Sequence, residues 1–178
     1  GEEIHVLRKG SVIPEGSKVN EFVSNSPEET IEFAKSLAEK FSPNLEFRPV
    51  IFALQGDMGA GKTHFTKGIA SFFGIQDEVQ SPTFILSREY KLKNQNFLYH
   101  IDTWRLEEIE KNGSLDLDEI EFEKMLEKNK NSSEFNVISI EWVDKVADYI
   151  RSLDSNLKII WIEIESTESN TRTIRWSE

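Results

Sequence analysis

The chain has 178 residues, 38 % of them apolar, with 21 Lys and Arg against 32 Asp and Glu for a net charge of −11. That length supports one hydrophobic core and makes a single domain over 1–178 the expectation, while apolar runs of only about four to six residues exclude a helical membrane span. The lack of cysteine excludes disulfides, a thiolate zinc site and a Cys nucleophile, and the acidic balance argues against a domain that grips DNA or RNA by itself, leaving room for a basic partner. No basic-then-apolar signal pattern opens the chain, so a cytoplasmic location is expected.

Residues 1–20, with Gly10, Pro14 and Gly16, read as an irregular or short-strand lead-in. Ser26-Pro27-Glu28-Glu29 is a helix start: Ser26 as N-cap, Pro27 at the tolerated first position and Glu29 closing a capping box. Ile31, Phe33, Ala34, Leu37, Ala38 and Phe41 continue it at helical spacing until Pro43. Pro49–Leu54 is apolar without alternation, as in a strand covered on both faces, and Gly56 ends it. Lys62 to about Phe73 has helical spacing, with Gly74 as its C-cap.

Thr83–Tyr90 and Phe97–Asp102 read as a hairpin around residues 93–96. Asp116–Lys128 reads as an acidic amphipathic helix and 129–134 as a polar loop. Val137–Ile140 is a further buried strand, ending at Glu141, and Asp144–Leu153 a short helix. Leu157–Ile164 and Thr171–Trp176 close the chain as an antiparallel pair. The alternation predicts an α/β fold. With the motif described next, it becomes a P-loop NTPase-like three-layer fold with a mixed, mainly parallel central sheet and antiparallel additions.

Gly56-Asp57-Met58-Gly59-Ala60-Gly61-Lys62-Thr63 matches G-x-x-x-x-G-K-[ST] at every fixed position, between a buried strand and a helix. Glycines in such a loop let consecutive N–H groups turn inward on phosphate oxygens, and the helix adds the positive end of its dipole. Lys62 would reach the β- and γ-phosphates, and Thr63 would place its hydroxyl on Mg²⁺. The motif indicates a nucleoside triphosphate with magnesium but not the reaction.

The chemistry also needs an acid at a neighbouring strand tip. Asp102 and Glu141 each end an apolar strand, where a parallel α/β sheet puts its ligand site. His100 shares a strand face with Asp102 and reads as an orienting group rather than a base. His5 and His64 read as surface or packing residues, and no H-E-x-x-H spacing for zinc occurs. Ser81-Pro82-Thr83-Phe84 reads either as a loop-to-strand junction or as a switch in which Thr83 senses the γ-phosphate. Asp102 is not followed by the D-x-x-G glycine and no N-K-x-D occurs, so ATP is expected over GTP. A small-molecule kinase using the same loop is the alternative, although the arginines are scattered rather than gathered in a lid.

Four segments in series carry a resemblance: Gly56–Thr63, Ser81–Phe84, His100-Ile101-Asp102-Thr103-Trp104-Arg105-Leu106 and Glu141-Trp142. Together, from about Ser24 to the C-terminal strands, the chain resembles the TsaE (formerly YjeE) family, bacterial ATPases of tRNA threonylcarbamoyladenosine biosynthesis. It departs from the family pattern at Trp104 (usually Tyr), Ile101 (commonly Phe) and Met58 (usually Leu). The resemblance implies weak, partner-dependent ATP hydrolysis beside a TsaB–TsaD heterodimer, with tRNA met only through that complex. It further implies that Gly56–Thr63 hold the phosphates and that Thr63 and Glu141 hold Mg²⁺. Asp102 would lie beside the attacking water or the metal, and Thr83 in a switch-like segment. Trp142 would lie near the nucleotide and Ser26-Pro27 beside the adenine. Lys62, Asp102 and Glu141 are thus the expected catalytic residues, and Arg105 would face phosphate, partner or solvent.

Overall fold

Residues 50–56, Val-Ile-Phe-Ala-Leu-Gln-Gly, are all buried, and they form the strand around which the sheet is built. The computed structural model describes residues 7–42, 49–57, 59, 61–75, 87–91, 97–102, 137–141, 143, 147–152, 157–167 and 170–178. Within them lie β1 (Asn20–Ser24), α1 (Pro27–Lys40), β2 (Val50–Gly56), α2 (Lys62–Phe72), β3 (Ser87–Lys91) and β4 (Phe97–Asp102). They are followed by β5 (Val137–Glu141), α3 (Ala147–Arg151), β6 (Lys158–Ser166) and β7 (Arg172–Ser177). The strands make one seven-stranded sheet in the order β1-β7-β6-β2-β5-β4-β3. β2 is parallel to β6 on one side and to β5 on the other, and β4 is parallel to β5. β3, β7 and β1 add on antiparallel to β4, β6 and β7 respectively. The expected α/β fold with a mainly parallel sheet and antiparallel additions is therefore the one observed.

One face of the sheet carries Phe52, Leu54, Leu98, Ile160, Ile162 and Ile174 against Ala34, Leu37 and Ala38 of α1 and Phe65 and Ile69 of α2. Burying a side chain of this size contributes roughly 2 kcal/mol. The N-terminus of α1 is the expected one. The Ser26 hydroxyl accepts the Glu29 N–H at 3.1 Å, and the Glu29 carboxylate reaches back to the Asn25 N–H at 2.7 Å. Where α1 crosses α2, Gly68 sits under α1: a Cβ there would stand 2.2 Å from the Ile31 carbonyl oxygen and 2.6 Å from the Ala34 Cβ.

The second face packs Ile51, Ala53, Ile138, Ile140 and Trp161 against Val143, Ala147 and Ile150 and against Val12 and Ile13 of the lead-in. Residues 7–19 contain no helix or strand, yet Val12 and Ile13 are buried. Polar side chains of the sheet tie them down. Gln55 accepts the Val12 N–H and donates to the Gly10 carbonyl, both at 2.9 Å. Glu163, fully buried on β6, accepts from the Arg8 N–H at 3.1 Å and the Ser11 hydroxyl at 2.6 Å and pairs with Arg175 at 3.3 Å. Arg151 donates to the Val12 carbonyl at 2.6 Å. Burial pulls the Arg175 guanidinium down. The hydrogen bond to Glu165 and the charges of Glu163, Glu165 and Glu21 outweigh this and hold it above its ordinary value.

The hairpin is found as β3 and β4, and the closing pair as β6 and β7. β1 was not expected. Its burial is partial and uneven, and its place at the sheet edge comes from pairing with β7, about 150 residues onward. The expected helix at 116–128, the polar loop at 129–134 and residues 93–96 lie outside the described residues. Gly68→Ala is expected to lower stability by about 1–2 kcal/mol, despite the better helix propensity of Ala, because the new methyl meets backbone. Urea unfolding would show the loss as a lower midpoint at unchanged slope.

Candidate nucleotide site

Parallel register brings the site together. Asp102 pairs with Glu141 between β4 and β5, and Glu141 pairs with Leu54 between β5 and β2. The carboxyl ends of three adjacent strands therefore lie side by side, with Gly56 two residues beyond Leu54 at the start of the loop into α2. This is the edge at which parallel α/β sheets bind ligands.

The loop has the backbone that its glycines suit. Gly59 and Gly61 have φ of 80° and 104°, in the left-handed region that side chains disfavour. Gly61 is the N-cap of α2 and supplies no side-chain cap, and no acidic residue stands in the first turn. In α1, by contrast, Ser26 caps the helix and Glu28 and Glu29 oppose its dipole. The N-terminus of α2 thus keeps its positive character for an anion. Lys62 adds to it. Its side chain is buried, and its ammonium donates to the carbonyl oxygens of Gly56 and, at 2.9 Å, Asp57, so the charge lies across the loop.

A polar layer runs inward from the loop between α2 and the sheet. The Thr63 hydroxyl donates to Glu141 Oε1 at 3.2 Å. Glu141 Oε2 is bonded to Nε2 of His100, and both side chains are buried. Deeper still, Thr66 and Ser139 share a hydrogen bond of 2.9 Å. Thr63 and Glu141 offer hard oxygens, the donor type that Mg²⁺ prefers. Among the described residues no cluster of three His, Cys, Asp or Glu could hold a metal.

The structure joins the expected Gly56, Asp57, Gly59, Gly61, Lys62, Thr63 and Glu141 in one place, with Asp102 beside them by register. Met58, Ala60, Thr83, Arg105 and Trp142 lie outside the described residues. Ser26 and Pro27 stand at the start of α1, and no hydrogen bond among the described residues links them to the loop.

Comparison with known proteins is decisive. Residues 24–174 match the model of the family described as threonylcarbamoyl adenosine biosynthesis protein TsaE. The chain belongs to the TsaE family. It is 34 % identical over 149 residues to the TsaE protein of Rickettsia conorii, covering 83 % of this chain and 72 % of that one. It is 36 % identical over 139 residues to that of Rickettsia typhi, covering 76 % and 84 %. The crystal structure of Bacillus subtilis YdiB superposes with a TM-score of 0.59 at 26 % identity, covering 92 % of this chain and 88 % of that one. The TsaE match begins at the last residue of β1, so the lead-in with its buried Val12 and Ile13 precedes it.

Sequence reasoning did not single out four further residues at this TsaE site. Ser139 shows in the sequence only as a polar residue within an apolar run, and Thr66 only as one of several polar residues in the first turns of α2. Arg172 of β7 donates to the Gly59 carbonyl at 3.1 Å, and Arg8 lies 3.5 Å from the Asp57 carboxylate. Nothing local marks either arginine, since tertiary structure alone brings them to the loop.

No atom lies within 4 Å of a Cβ built on Gly61, so substitution there acts through backbone conformation and not through a clash. Gly61→Ala is expected to cost about 1–2 kcal/mol from the left-handed φ, measured by chemical denaturation.

Proposed function

We propose that this TsaE-family chain binds Mg-ATP and hydrolyses it as an accessory subunit of the machinery that makes threonylcarbamoyladenosine beside the anticodon of tRNA. One observation carries the reading. A helix start without acid or side-chain cap stands behind a glycine loop crossed by the Lys62 ammonium, with the next residue, Thr63, hydrogen-bonded to buried Glu141. The loop amides and Lys62 would bind the β- and γ-phosphates. Thr63 and Glu141 would hold Mg²⁺, which when bound supplies charge neutralisation on the phosphate oxygens. Asp102, level with Glu141 by register, would orient the attacking water.

The biological assignment draws on membership of a family described by threonylcarbamoyl adenosine biosynthesis. The partners in this reading are TsaB and TsaD, and tRNA is met through them, in keeping with a net charge of −11. No helix among the described residues is long and apolar enough to cross a membrane.

Lys62→Ala is expected to weaken ATP binding at least about 10-fold, the loss of a charged hydrogen-bond donor to phosphate, as read by calorimetry. Asp102→Ala is expected to keep ATP affinity within about threefold while turnover falls about 100-fold; equal losses of both would refute the role given to Asp102. Purified TsaB–TsaD should accelerate release of inorganic phosphate from ATP. An unchanged rate would overturn the accessory role, and label transferred to an organic acceptor would favour a kinase.

A further inference from the structure

Glu141 is held on both oxygens. Its side chain lies in the interior, with Thr63 of α2 on Oε1 and His100 of β4 on Oε2. His100 is fully buried, two residues before Asp102 and level in register with Ser139. An ionised carboxylate only accepts hydrogen bonds, so the ring proton of this pair belongs on Nε2. Among the described residues the other ring nitrogen, Nδ1, has no hydrogen-bond partner. Buried histidines kept for structure ordinarily engage their polar atoms. Among the described residues this one makes its polar contact with Glu141 alone.

We infer that His100 is a positioning residue for the metal end of the nucleotide site. Its Nε2–H pins one oxygen of Glu141, and the other oxygen is thereby fixed toward the Thr63 hydroxyl. The inference rests on the Mg-ATP reading above.

The test titrates Mg²⁺ into wild type, His100→Gln and His100→Asn in the presence of a fluorescent ATP analogue, and measures affinity for the analogue in EDTA. Gln carries its amide about as far as Nε2, whereas Asn ends near the depth of Nδ1, short of Glu141. His100→Asn is expected to raise the half-saturating Mg²⁺ about 10-fold with EDTA affinity changed less than about twofold, and His100→Gln to stay within about threefold of wild type. The same half-saturation in all three proteins overturns the inference. So does a fall in EDTA affinity in step with the Mg²⁺ response, which would mark general damage to the phosphate site. Wild-type protein that binds no nucleotide, or binds it without regard to Mg²⁺, overturns the proposed function as well, so the two failures are told apart by the wild-type curve.

Discussion

A carboxylate taken out of water must find partners or it destabilises the fold by several kcal/mol. Glu141, 2 % exposed at the tip of β5, is such a group. Its partners come from separate elements: an imidazole from β4 and a hydroxyl from α2. That arrangement exists only while β4 and β5 keep their register and α2 starts where the loop after β2 delivers it. A slip of one residue in either strand would turn the side chains to the opposite face. The site and the sheet register are thus one constraint.

The opposite face of the sheet shows a parallel solution. Gln55 and Glu163 are polar residues inside core strands, and each is matched by backbone groups of the irregular lead-in. The lead-in has no ladder of its own, so its main-chain groups would otherwise meet the apolar second face without partners. Arg8 continues this tie to the glycine loop before α2 through Asp57, while Arg172 reaches the same loop from β7. The loop is therefore braced from the first described residues and from the last strand.

Much of this was legible from residue order. The uninterrupted apolar run at 50–54 announced a strand buried on both faces, and β2 is that strand. Ser26, Pro27 and Glu29 marked the start of α1, and Lys62–Thr63 marked the start of α2. These signals are local: caps, turns and periodicity act over a few residues. What sequence order could not convey is which distant residues meet. The pairing of β1 with β7, the hold of Glu163 on the lead-in, the approach of Arg172 to Gly59 and the clasp of His100 on Glu141 are set by tertiary packing. His100 stood out for sharing a strand face with Asp102 and Glu141 as an acid at the end of an apolar strand, but their contact across 41 positions did not.

The anchoring of the lead-in has a consequence for the order of assembly. Of the side chains that seat residues 7–13, Gln55 is about 45 positions away, but Arg151 and Glu163 are about 140 to 155 positions away. The central strand is in the same situation, because both neighbours of β2 are translated long after it. Residues 7–13 therefore complete their contacts only once Glu163 is in place, and closing such distant loops is slow.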